Sequence, residues 1–173
     1  MCGISGIICQ EKTNGLNIFK SILALQHRGQ DGAGIFWNHN STHKMIKGPG
    51  LVNQVFDIDK LKQMKGSLFV AHNRYKTNNI PNSYQPYFYA CSYLSVCVSH
   101  NGNITNCHSI KKILNEKYSI PNIDEERSDS EIVGQYIFEF LKSKSKNKKI
   151  IFQDIIHLSN ELQNNLEGSF SLI

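Results

Sequence analysis

Cys2 directly follows the initiator methionine, and its side chain is small enough for methionine aminopeptidases to expose it as the mature N-terminus. A terminal cysteine carries a thiol and a free α-amine on one carbon. The amine has an ordinary pKa of roughly 7.7–8.0, so a useful fraction is unprotonated near neutral pH. The thiolate is the nucleophile, and a neighbouring base is the standard way to form it. One residue can thus supply nucleophile and base. An amide attacked by that thiolate passes through a tetrahedral oxyanion, which needs donors aimed at it. Asn101-Gly102 offers a side-chain amide and an unobstructed backbone N–H, although the same pair also reads as a plain turn. If the amide belongs to a free amino acid, its carboxylate suits an arginine fork and its ammonium an aspartate. Arg74 and Asp129 fit those roles, and each also fits a surface ion pair or a helix cap. Arg28, beside Gly29, could grip backbone carbonyls near the terminus.

The elements that must hold these residues follow from the pattern of apolar positions. Ile4 to Cys9 is an apolar run that reads as a buried strand starting at the nucleophile. Residues 15–26 have helical spacing. Three glycines in the six residues Gly29 to Gly34 predict tight turning or close approach of backbone, before a strand at Ile35–Trp37. Leu51 to Met64 is helical with a break near Asp57. Ser67 to Ala71 is a strand delivering His72 to Thr77 at its end, and 78–86 is a polar loop of the kind that covers active sites. Tyr93 to Ser99 is a strand ending at His100-Asn101-Gly102-Asn103, and 106–118 is a helix. Ser128 and Glu131 form a capping box opening a helix to about Leu141. A last helix covers about 151–164, and a strand begins at Glu167 and stops with the chain. That stop implies a fragment of a larger domain.

At 173 residues, with 40% hydrophobic and 19% charged residues, the chain suits one globular domain with a real core. No apolar run approaches the roughly 20 residues of a membrane span, and the terminus lacks a secretory pattern, so cytosol is the expected location. The cysteines at 2, 9, 91, 97 and 107 are odd in number and without a C-x-x-C, which argues against a disulfide framework. Apart from Cys2 they read as small buried or half-buried thiols. The histidines have no metal-type spacing, so no metal is assigned. The net charge of +5 owes much to Lys142–Lys149, a run without aromatics that reads as a solvated loop rather than a nucleic-acid patch.

Jointly, Cys2-Gly3-Ile4, His27 to Gly34, His72-x-Arg74-Tyr75-x-Thr77, Gln85-Pro86, His100 to Asn103 and Asp129-Ser130-Glu131 closely resemble the class II glutamine amidotransferase domain, one of the N-terminal-nucleophile hydrolases. The R-G-Q-D-G-A-G form, Gly50 to Phe56 and Arg74-Tyr75 look most like its amidophosphoribosyltransferase branch. The resemblance implies an α+β fold, a four-layer α/β/β/α sandwich, in which Cys2 hydrolyses glutamine through a thioester. It makes Asn101 and Gly102 the oxyanion hole, Arg74 and Asp129 the holders of the glutamine carboxylate and ammonium, and Thr77 a neighbour on the glutamine loop. Arg28 and Gly29 support the site. The ammonia would convert phosphoribosyl pyrophosphate to phosphoribosylamine, the first step of purine synthesis. That step implies a phosphoribosyltransferase domain or subunit as partner, and homo-oligomers are compatible with it. No cofactor is expected in this chain, since Mg and phosphoribosyl pyrophosphate would belong to the absent domain. Residues 1–173 would then be a C-terminally incomplete glutaminase domain. Two other outcomes are a free-standing glutaminase subunit of another amidotransferase and an inactive glutamine-binding remnant. The family pattern G-H-x-R-Y-x-T-x-G reads Ala71 to Asn79 here, without its glycines, which bears on closure of the glutamine loop.

Overall fold

A computed structural model describes residues 1–40, 42–76, 80, 83–121, 123–124, 126–145 and 149–173. The chain folds into two compact units. One comprises Met1–Tyr87, Cys97–Gly102 and Ser171–Ile173, and the other Phe88–Val96 and Asn103–Phe170.

The first unit is built on a four-stranded antiparallel sheet of β1 (Gly3–Asn14), β2 (Gly32–His39), β3 (Thr42–Pro49) and β4 (Lys65–Arg74), in the order β1-β4-β2-β3. Side chains alternate across a strand, so the register sorts them into two faces. Ile7, Ala33, Ile35, Trp37, Phe69 and Ala71 share one face and pack against α1 (Leu16–Ala24), α2 (Val52–Val55) and α3 (Ile58–Gln63). From these helices Ile18, Ile22, Val52 and Leu61 are fully buried. The break expected near Asp57 separates α2 from α3, where the Asp57 carboxylate accepts from the Lys60 N–H at 2.8 Å and starts α3.

The opposite face has a different chemistry. It carries His72 and Arg74 from β4, Lys47 from β3, and Gly32 and Gly34 from β2. A Cβ on Gly34 would lie 2.0 Å from the Gln85 carbonyl oxygen, and one on Gly32 would lie 2.5 Å from the Tyr84 ring. The glycine cluster thus lets the Gln85 backbone and the Tyr84 ring lie directly on the sheet. β1 turns Gly6 to the same face, against Ile173, and Ser99 pairs with Ile173 through both backbone bonds at 2.8 and 3.0 Å.

The second unit is mainly helical, with α4 (Cys107–Tyr118), α5 (Asp129–Ser145) and α6 (Phe152–Asn165). α5 is buried on nearly every side, from Ile132 through Leu141. Glu161 of α6 joins the three helices by accepting from Lys117 and from the Tyr136 hydroxyl, both at 2.8 Å. Gly134 makes room for Tyr89, whose hydroxyl donates to the Glu131 carbonyl at 2.6 Å. The Ser128 hydroxyl accepts from the Glu131 N–H at 3.2 Å, as the capping box requires.

Four short strands complete the chain in two pairs: β5 (Tyr87–Ala90) with β6 (Ser95–Val98), and β7 (His100–Ile104) with β8 (Gly168–Leu172). Several expectations change. β3 and β5 are strands that no apolar alternation announced. Tyr93 lies in the turn before β6 rather than in the strand. His100 to Asn103 is not a turn but strand β7, because its ladder to β8 continues through Thr105 N–H to the Glu167 carbonyl at 2.9 Å. The basic run is helical as far as Ser145, with Lys142 and Lys144 lying over the Phe138 and Phe140 rings, and residues 146–148 fall outside the described residues.

Candidate active site

β1 and β4 bring the chain terminus to its neighbours. Their register sets Gly3 opposite Asn73 and Ile4 opposite His72, which carries Cys2 to the end of β4. There the Tyr75 N–H donates to Cys2 Sγ at 3.4 Å, and the thiol faces the Tyr75 carbonyl at 3.8 Å. An N–H aimed at sulfur is the kind of donor that stabilises negative charge on it. Cys2 is half-buried, and Met1 before it is 75% exposed, open to removal.

Three further groups fix this end of the sheet. Arg28 Nε donates to the Cys2 carbonyl at 3.1 Å, gripping the backbone on the far side of the nucleophile. Gly29 lies against β4, where a Cβ would sit 2.6 Å from the Arg74 carbonyl carbon. Asn73, fully buried, donates to the Ile22 carbonyl at 2.8 Å and ties β4 to α1. Asp31 adds two bonds, from its N–H to the Arg74 carbonyl at 3.0 Å and from the Lys76 N–H to its carboxylate at 2.8 Å.

Arg74 is buried to 8% exposure, with its guanidinium over the Tyr84 ring and one nitrogen donating to the Ile80 carbonyl at 3.3 Å. Lys47, on the same face, donates to the Pro86 carbonyl at 3.2 Å and lies over the Tyr87 ring. The positive character of this face registers on His72. Burial is the main force holding its pKa down to about 3, and the charges of His100, Arg74 and Lys47 push the same way, while the His100 backbone opposes the shift. Its imidazole is therefore neutral at any physiological pH and is no proton store for Cys2.

That neutrality has a measurable sign. An unfolded histidine titrates near pH 6.5, so between pH 6.5 and 3 the unfolded chain binds a proton that folded His72 rejects. The stability contributed by the neutral ring is complete above pH 6.5 and is lost as pH falls, at up to about 1.4 kcal/mol per pH unit. Urea unfolding at pH 7 and 4.5 is expected to show a smaller loss for His72→Gln than for the parent chain. Equal losses in the two proteins would contradict the assignment.

Asn101 and Gly102 lie on β7 in the same unit as Cys2, next to His100, whose backbone neighbours the His72 ring. Gly102 is extended, with φ of 159°. Gln85 is buried with both ends of its carboxamide on the His100 backbone. No local sequence signal marks a side chain that holds a distant backbone. Thr77 lies outside the described residues, as do residues 78–79 and 81–82 of the expected covering loop.

Asp129 belongs to the second unit. It occupies the first turn of α5, where one carboxylate oxygen accepts from the Ile104 N–H at 3.1 Å and the other from the Ser130 N–H at 2.7 Å. No cysteine is in a disulfide, and Cys9, Cys91, Cys97 and Cys107 are half-buried as expected. Burial pushes Cys97 up to about 12 and raises Cys107 as well, so neither is a thiolate near neutrality.

With Cys2 at the end of an antiparallel sheet in a mixed helix-and-sheet chain, this is an α+β protein of the N-terminal-nucleophile hydrolase type. Solved structures share that fold. Glutamine phosphoribosylpyrophosphate amidotransferase from B. subtilis, complexed with ADP and GMP, matches 99% of this chain and 34% of its own, with a TM-score of 0.73 and 25% identity. A structure of the allosteric regulatory enzyme of purine biosynthesis matches over the same shares, with a TM-score of 0.75 and 26% identity. No protein-family model matches the chain. Among curated proteins, the chloroplastic amidophosphoribosyltransferase of Vigna aconitifolia is 33% identical over 99% of this chain and 33% of its own length. The Methanocaldococcus jannaschii amidophosphoribosyltransferase is 32% identical over 100% of this chain and 35% of its own. That of Escherichia coli K12 is 38% identical over 77% of this chain and 26% of its own. The chain belongs to the amidophosphoribosyltransferase family and spans about a third of the length of the curated relatives it matches.

Proposed function

We propose that this chain is a glutaminase domain, residues 1–173, in which Cys2 releases ammonia from glutamine. The observation that carries the reading is the position of Cys2 Sγ at the end of β4, with the Tyr75 N–H donating to it and Arg28 holding the Cys2 carbonyl. Removal of Met1 frees the α-amine, which takes the thiol proton. The thiolate then adds to the side-chain carbonyl of glutamine, and its electrons move to the carbonyl oxygen. Asn101 and Gly102 donate to that oxyanion. The oxyanion collapses as ammonia leaves with the proton, and water hydrolyses the thioester to glutamate. Arg74 receives the α-carboxylate on a face whose positive field is felt by His72, and Asp129 receives the α-ammonium, with Thr77 on the adjoining loop. Arg28 and Gly29 are supports.

The ammonia would pass to a phosphoribosyltransferase domain or subunit and attack phosphoribosyl pyrophosphate, giving phosphoribosylamine for purine synthesis. The named relatives support this, as do their lengths, about three times that of this chain. Mg and phosphoribosyl pyrophosphate would be bound by that partner. Five free thiols suit the cytosol. The test is direct: processed protein incubated with glutamine is expected to yield glutamate and ammonia in equal amounts. Glutamine binding without ammonia release would replace this reading with that of a glutamine-binding remnant.

A further inference from the structure

We propose that Gln85 is the positioning residue of the oxyanion site, an inference that rests on the glutaminase reading of Cys2, Asn101 and Gly102. Its carboxamide oxygen accepts from the His100 N–H at 2.7 Å, and its nitrogen donates to the His100 carbonyl at 3.2 Å. One side chain thus replaces a whole residue of a neighbouring strand. The bonds are buried and Gln85 is only 7% exposed, so water does not compete for them.

The alternation of a strand says what this clasp controls. Ser99 sends both backbone groups to Ile173. Backbone groups of successive residues point to opposite edges, so His100 presents its own to the other edge, where Gln85 takes them. Gly102, two residues further on, points its N–H to the same edge as His100. Asn101 sits between the residue Gln85 holds and the residue that donates. Holding Ser99 from one edge and His100 from the other therefore fixes the direction of the Gly102 N–H and the root of the Asn101 side chain.

Gln85 is itself held rigidly. Its carbonyl oxygen lies on Gly34, at a site where any Cβ would approach to 2.0 Å, and the following Pro86 carbonyl accepts from Lys47. The sheet that carries Cys2 therefore sets the place of Gln85, and Gln85 passes that placement to Asn101 and Gly102. Donors to an oxyanion must sit within a few tenths of an ångström of where the charge develops. Gln85 acts through the His100 backbone, so its effect falls on the transition state.

The experiment compares the parent chain with Gln85→Met, which keeps the length and loses both bonds, and Gln85→Glu, which keeps the acceptor and loses the donor. With glutamine, kcat is expected to fall about 100-fold in Gln85→Met, and less in Gln85→Glu, with KM within about threefold of the parent value. Affinity for glutamate γ-semialdehyde, which forms a tetrahedral adduct with the thiolate, should fall in step with kcat, while affinity for glutamate should hold. Unchanged kcat, or a loss confined to KM, would overturn the inference. If the parent chain itself releases no ammonia and binds no aldehyde, the glutaminase reading fails instead. The positioning claim is then decided by amide NMR of Gln85→Met and Gln85→Glu: shifted, faster-exchanging His100 and Gly102 N–H signals support it, and unmoved signals refute it.

Discussion

Replacing Cys2 with alanine is expected to reduce glutamine hydrolysis by more than about 10⁴-fold, because the covalent route is lost with the nucleophile. No other thiol can stand in for it. Burial holds Cys97 and Cys107 protonated, and only Cys2 has its sulfur at the end of β4 beside the Tyr75 N–H. Cys2→Ala should still bind glutamine, since the proposed carboxylate and ammonium partners, Arg74 and Asp129, are untouched. Calorimetry should therefore give a dissociation constant within a few-fold of the parent value. Cys2→Ala that still released ammonia at the parent rate would remove the mechanism entirely.

Gly34→Ala is expected to be the most damaging single methyl group in the first unit. A Cβ there would lie 2.0 Å from the Gln85 carbonyl oxygen, 2.9 Å from its carbon and 3.0 Å from the Lys47 Cβ. The nearest atom is backbone on a segment that lies flat on the sheet, so no side chain can swing away to relieve it. Gly34 is also paired in register with both His72 and Lys47, which holds β2 between two strands. Overpacking of this kind costs about 1–3 kcal/mol in ordinary cores and more where backbone must move. Urea unfolding should show a loss of about 3 kcal/mol or more. Any folded fraction should have the oxyanion defect of Gln85→Met, since the same segment is displaced. A Gly34→Ala chain as stable and active as the parent would show that the Gln85 segment does not rest on β2.

Some placements were legible in the sequence. Cys2 at the start of a strand, the glycine cluster and the Asp57 break could be read locally, because a strand start, close backbone approach and a helix cap each leave a mark within a few residues. β3 left none: it is an edge strand with Lys44 and Lys47 along it, and edge strands are polar to discourage pairing with other chains. β7 was hidden for a different reason. Asn-Gly is a turn signal, and only pairing with Ser171–Ile173 and Gly168, some 70 residues away, makes this segment extended. The role of Gln85 depends on a contact across 15 residues and on a glycine 51 residues before it. Such long-range satisfaction of backbone groups has no local code. The polar face of the sheet, with His72, Arg74 and Lys47 together, likewise emerges only once the register is known.

Membership of the amidophosphoribosyltransferase family sets this chain beside proteins about three times its length, and the ammonia acceptor is the part of the account that lies with those relatives. Among the described residues no helix is long and apolar enough to cross a membrane. The proposed function requires of this chain a working nucleophile and a glutamine pocket.

Intact mass after incubation with 6-diazo-5-oxo-L-norleucine, a reactive glutamine analogue, measures both at once. The account predicts a chain lacking Met1 that gains a single adduct on Cys2, blocked by excess glutamine and absent in Cys2→Ala. A processed chain that gains no adduct, or gains it on another cysteine, would contradict the claim that Cys2 is the nucleophile of a glutamine site.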